Sequence, residues 1–211
     1  MQTQWLSTLM CGVLLTAAPT LLAQEPSCVG AERYLRTILR PVPEQSVSVR
    51  QSMLPDFPQV VFCSGARVPP FRRGHEATPV SAAVAVTTRD TLTIVTAEDL
   101  SRIWIFRSPV EIRTPRMALD VLLRLLDVTR LVPRQQVLQS SNRAKRRFEG
   151  SGINAQVLNE VRSPLAFQHD TTWTVRIYVD QTPGIVLYDF LIRADNTLFV
   201  STQPYSTTLG I

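Results

Sequence analysis

The sequence predicts an α+β fold: an antiparallel sheet that ends the chain as a three-strand meander, packed by one long amphipathic helix, with a smaller N-terminal helix and strands ahead of them. Three stretches carry this prediction. Near the C-terminus Trp173, Val175, Ile177 and Val179 alternate with other residues, as they do along a strand with one apolar face. In the middle, Met117, Ala118, Val121, Leu122, Leu125 and Leu126 share one face of a 3.6-residue period. Close to the start, Tyr34, Leu35, Ile38 and Leu39 repeat that spacing on a shorter scale.

In chain order, residues 1–23 read as a cleavable signal peptide. Leu6 to Leu15 is mostly apolar, and Thr16, Ala17 and Ala18 lead on to a cut after Ala23. The segment departs from the usual pattern in having no Lys or Arg before the apolar run and Leu21 three residues ahead of the cut. A retained anchor over 6–23 is the alternative, and Pro19 together with the lack of flanking charge counts against it. Residues 24–211 read as a single α+β domain, with two lobes dividing near 107–114 as the alternative. Apolar residues make up 45% of the chain and charged ones 18%, so burial can offset chain entropy without a metal or other cofactor, and none is expected.

Cys11 departs with the signal. Cys28 and Cys63 then form an even pair in an oxidising compartment, where one disulfide is expected, tying the first helix to a strand. That helix is predicted over 28–40 and ended by Pro41 and Pro43. Short strands follow around Val47 to Met53 and over 59–63. A surface loop over 66–79 contains Pro69, Pro70, Arg72, Arg73, Gly74 and Pro79. A hairpin comes next, Val80 to Val86 returning through Leu92 and Ile94. Thr96 with Asp99 suits the start of a helix through Trp104, with a strand over 103–106 equally compatible.

Thr114 as cap and Pro115 at the first helical position open the long helix, predicted over 115–131. After it come a strand over 136–139, a polar, basic loop over 140–152 and a short helix over 153–161. In the closing meander, Pro183 with Gly184 and Asp195 with Asn196 supply the turns. This outline is similar in shape to cystatin-like and nuclear-transport-factor-like folds, which wrap a curved sheet around one long helix; it carries no residue signature of either.

Chemistry is sparse. The two histidines, His75 beside Glu76 and His169 beside Asp170, are each next to an acid, but adjacent strand residues point to opposite faces, so neither pair is expected to form a catalytic or metal site. There is no Gly-x-Ser-x-Gly elbow and no phosphate-binding glycine loop. Ser140, Ser141 and Asn142 match one element of the penicillin-recognising enzymes, and its companion motifs do not occur.

Charge says more. Lys145 is the only lysine among 22 basic residues, and the formal net charge is +5. Arg143, Lys145, Arg146 and Arg147 form the densest cluster, a candidate anion-binding patch that Arg72 and Arg73 would extend. An exported location argues against nucleic acid as the partner and toward an anionic envelope surface or a protein. The sequence therefore points to an exported, periplasmic or extracellular, non-enzymatic α+β protein that binds a ligand or envelope partner. A secreted or periplasmic hydrolase using His75, His169 or Asp170 is the alternative, and an envelope-associated structural factor a third reading.

Protein recovered from the envelope or the medium is expected to begin near Gln24. N-terminal sequencing checks this, and an intact Met1 on a membrane-embedded species would refute it.

Overall fold

The computed structural model describes residues 26–40, 47–67, 80–181 and 184–207. The expected signal peptide, the pair His75 and Glu76, Arg72 and Arg73, and Pro183 lie outside the described residues.

Two four-stranded antiparallel sheets organise the chain. The first is a meander of β1 (Ser48–Met53), β2 (Val61–Arg67), β3 (Val80–Val86) and β4 (Thr91–Ile94). The second is built the same way from β5 (Leu165–His169), β6 (Thr172–Gln181), β7 (Gly184–Ile192) and β8 (Leu198–Thr207). Five helices accompany them among the described residues: α1 (Ala31–Leu39), α2 (Asp99–Trp104), α3 (Pro115–Val128), α4 (Ser141–Arg147) and α5 (Ala155–Glu160).

Strand alternation assigns the layers. On β2 and β3, Val61, Cys63, Ala82 and Val84 meet Ala31, Leu35 and Leu39 of α1. Phe62, Ala83 and Ala85 point the other way, into a central cluster with α2, α3 and one face of β6 and β7. The opposite face of that second sheet, with Tyr178, Ile185 and Leu187, is covered by Ala144 and Phe148 at α4 and by Leu158 of α5. Each sheet thus buries apolar side chains on both faces, which explains why β7 reads as a nearly continuous apolar run.

Local chemistry sets several boundaries. The Thr114 hydroxyl accepts from the Met117 amide at 3.2 Å and opens α3. The Asp99 carboxylate accepts from the amides of Val95 and Thr96, both at 2.9 Å, fixing the entry to α2. Gly65 lets α1 lie close on β2, since a Cβ there would stand 2.9 Å from Val47 Cγ1 and 3.1 Å from Leu35 Cδ1. Cys28 and Cys63 form a disulfide that fastens the start of α1 to β2.

The segment 107–114 crosses between the two sheets and is tied down by side chains. Trp173 Nε1 donates to the Ile112 carbonyl at 3.0 Å. The buried Arg107 donates to Asn196 Oδ1 at 2.7 Å and to the Val110 carbonyl at 2.5 Å.

Six expectations are corrected. The C-terminal sheet has four strands, not three: β5, an edge strand with Phe167, Gln168 and His169 exposed, shows no apolar alternation to announce it. The helix starting at Pro115 ends at Val128, because Thr129 turns its hydroxyl back onto the Leu125 carbonyl at 2.7 Å and Arg130 takes a left-handed conformation with φ 59°. It packs in one cluster with strands of both sheets, so the expected packing of this helix on the C-terminal meander alone does not hold. Residues 136–139 form no strand; a 3-10 turn at Arg134–Gln136 leads to a single bridge between Val137 and Val179. The basic stretch expected to be a loop contains α4, and Ala66 and Arg67 belong to β2.

Removing the disulfide with paired Cys28→Ala and Cys63→Ala substitutions is expected to lower unfolding free energy by roughly 3 kcal/mol, the chain-entropy figure for a loop of this size. Denaturant titration of the oxidised protein and the double variant measures it. An unchanged midpoint would mean that the apolar contacts of α1 hold it to the sheet unaided.

Candidate functional site

α4 brings the basic cluster to one place. Its sequence has no amphipathic stripe beyond Ala144, which faces the second sheet together with Phe148 just past the helix, so docking rests on two residues four apart. Ser140 caps the helix by accepting from the Arg143 amide at 3.2 Å, and the last turn carries Lys145, Arg146 and Arg147, where cations complement the helix dipole. Because α4 lies against the sheet, Arg143, Arg146 and Arg147, spaced three and four apart, open onto one cleft of about 840 Å³. Gln135, Gln136, Leu138 and Asp180 complete its walls. Lys145 is exposed and does not line it.

The electrostatics are unbalanced in favour of cations. Asp180, at 4% exposure, receives Arg147 Nε at 2.5 Å, which holds that guanidinium across the cleft. Arg143 donates to the Gln135 carbonyl at 3.1 Å, and neither Arg143 nor Arg146 has a carboxylate within ion-pair distance among the described residues. Three guanidiniums therefore face one acid. Among the described residues the cleft wall carries no histidine, hydroxyl nucleophile or second carboxylate, and its guanidiniums are forked donors of the kind that hold anions.

Two further cavities adjoin it. One, of about 620 Å³, shares Gln135 and Gln136 with the cleft and adds Arg50 and Arg130. The next, of about 330 Å³, shares Arg50, Ser64 and Arg130 with that one and reaches Arg124 and Arg134. Sequence reasoning missed Arg50 and Arg130 because each is an isolated basic residue; only the placement of β1 and the left-handed turn after α3 puts them near one another.

The acid–histidine pairs fare differently. His169 ends β5 and Asp170 begins the exposed turn into β6, with 3.5 Å between Nε2 and Oδ2, and they line neither the cleft nor the cavities beside it. His75 and Glu76 lie outside the described residues, as do Arg72 and Arg73. Among the described residues no group of three or more His, Cys, Asp or Glu side chains is placed to hold a metal. No helix there is long and apolar enough to cross a membrane.

A separate cavity of about 450 Å³ lies over Arg107, Trp173 and Asn196. Arg107 also stacks over the Trp104 ring at 5.3 Å, and burial lowers its pKa below the ordinary arginine value, opposed by the charge of Asp56. Its two hydrogen bonds mark it as a structural pin between the 107–112 segment and the β7–β8 turn.

Comparison with models of known protein families, with curated proteins and with solved structures finds no match to this chain.

Arg107→Gln is expected to lower stability by about 2–3 kcal/mol, since it strips two charge-assisted hydrogen bonds that the buried guanidinium makes to the Val110 carbonyl and Asn196 Oδ1. Urea denaturation measures the loss. An unshifted midpoint would show that the segment is held by Trp173 alone.

Proposed function

We propose that this is an exported, non-enzymatic protein that binds an anionic ligand in the arginine cleft beside α4. The observation carrying this reading is the convergence of Arg143, Arg146 and Arg147 on one cleft where Asp180 is the only acid among the described residues. A guanidinium presents a planar fork of donors that matches carboxylate, sulfate and phosphate oxygens two at a time. Asp180 does not cancel the site. By fixing Arg147 it reduces the conformational freedom that binding would otherwise remove, while Arg143 and Arg146 remain available.

Two observations support the wider reading. The Cys28–Cys63 disulfide suits an oxidising compartment outside the cytosol. His169 and Asp170, on which the hydrolase alternative leans, are both largely exposed at the end of β5 and the turn after it, and neither lines the cleft.

Replacing Arg143, Arg146 and Arg147 together with glutamine is expected to weaken binding to a heparin-derived tetrasaccharide by about tenfold or more, the equivalent of some 1.4 kcal/mol. Binding by the unaltered protein should also fall as salt rises. Fluorescence anisotropy at low and high ionic strength reads both effects, with Arg193→Gln, far from the cleft in the fold, as the control. Binding that ignores both salt and the triple substitution would overturn the proposal.

A further inference from the structure

We infer that the cleft is one end of a continuous arginine-lined trench shaped for a linear anionic glycan, an inference that rests on the cleft being an anion site. The first support is continuity, since Gln135 and Gln136 belong both to the cleft and to the neighbouring cavity, and Arg50 and Arg130 belong both to that cavity and to the one beyond. A ligand leaving Arg143 and Arg146 over this shared wall meets a second pair of guanidiniums.

The second support is uncompensated charge. Among the described residues Arg50, Arg130, Arg143 and Arg146 have no carboxylate within ion-pair distance, whereas Arg124 and Arg134 are paired to Asp56 and Asp127 at 2.8 and 3.4 Å. The unpaired cations thus stand at two stations along the trench. The walls carry the acids Asp180 and Asp127 as well, yet cations outnumber them along all three cavities, and a cleft with an excess of one sign of charge concentrates the field above what the same charges give on an open surface.

The third support is the chemistry between the stations. Gln135, Gln136 and Gln181 contribute amides, and Ser48, Ser64 and Ser81 contribute hydroxyls. The register of the first sheet sets these residues on one face: Arg50 pairs with Ser64, Ser48 with Ala66, and Ala66 with Ser81. Amides and hydroxyls that both donate and accept are suited to sugar hydroxyls. Among the described residues no aromatic side chain lines any of the three cavities, so those residues supply no stacking platform of the kind single-stranded nucleic acid uses. A concave trench also fits a chain better than the flat face of a bilayer.

The test is a length ladder on the whole disulfide-bonded protein: heparin-derived tetrasaccharide and dodecasaccharide, oligogalacturonates of the same lengths, and oligodeoxythymidylate, by calorimetry. The long glycans are expected to bind about tenfold or more tighter than the short ones, because the second contact becomes intramolecular. Arg50→Gln with Arg130→Gln should abolish that gain while leaving tetrasaccharide affinity within about twofold, a range worth less than half a kcal/mol. If this double variant melts lower than wild type, Arg50→Gln alone, at an exposed strand position, carries the same test. The sulfated and carboxylated ladders tell which anion the stations prefer.

A flat ladder, or a length gain that survives loss of Arg50 and Arg130, overturns the trench and leaves the cleft standing. Arg143→Gln with Arg146→Gln having no effect on tetrasaccharide binding overturns the cleft itself. Oligodeoxythymidylate binding as tightly as the dodecasaccharide overturns the glycan assignment.

Discussion

Both faces of the second sheet are apolar, and the arrangement of the remaining elements depends on covering them. β6 and β7 send Val175, Ile177, Val179 and Phe190 to one side and Tyr178, Ile185 and Leu187 to the other. At about 25 cal/mol per Å² of apolar surface, leaving either set in water would forfeit several kcal/mol. The first set is covered by α3 and by the first sheet; the second has only the short segments after Val137 available to it. α4 and α5 are poor helices by themselves, at 7 and 6 residues, and they persist because they close this face. The basic cluster is thereby held on a fixed surface rather than on a free loop.

That dependence explains which parts of the structure were legible in the sequence. Stripes that meet a large partner announce themselves: Val121, Leu122, Leu125 and Leu126 on α3, or Leu35 and Leu39 on α1, carry the period of their element because each face is fully buried. β5 contributes little more than Ala166 to the core and sits at an edge, so no pattern marks it. α4 docks through Ala144 and Phe148, two apolar positions among charged ones, which composition alone cannot distinguish from a solvated loop. The turn at Arg134–Gln136 follows the tertiary bridge from Val137 to Val179, information held 42 positions away.

The candidate site divides along the same line. Arg143, Arg146 and Arg147 were visible because they are close in sequence, and their helical spacing then turns proximity into convergence. Lys145 was grouped with them by proximity and is set apart by the same spacing. Arg50 and Arg130 were invisible, since a lone basic residue in a strand or after a helix carries no signal until the register of β1 with β2 and the left-handed turn at Arg130 bring them to neighbouring walls. Asp180 was equally hidden: it stands just past the alternating apolar positions of β6, where nothing in the sequence marks it, yet it is buried and faces Arg147.

Arginine rather than lysine at these positions has a physical consequence. A lysine ammonium would treat the trench as a line of point charges, equally content with any polyanion. Guanidinium forks bind oxygens in pairs and in a plane, so the orientation of each anionic group along a ligand matters as well as its charge. The glutamines between the stations extend that requirement to neutral groups, because an amide that finds no partner in a closed complex is left desolvated at a cost of about 1–3 kcal/mol. A flexible polyphosphate satisfies the charges and not the amides, whereas a chain with hydroxyls between its anions satisfies both. Selectivity in this trench would then come from the polar residues that carry no charge, with the arginines supplying the attraction that brings any polyanion to it.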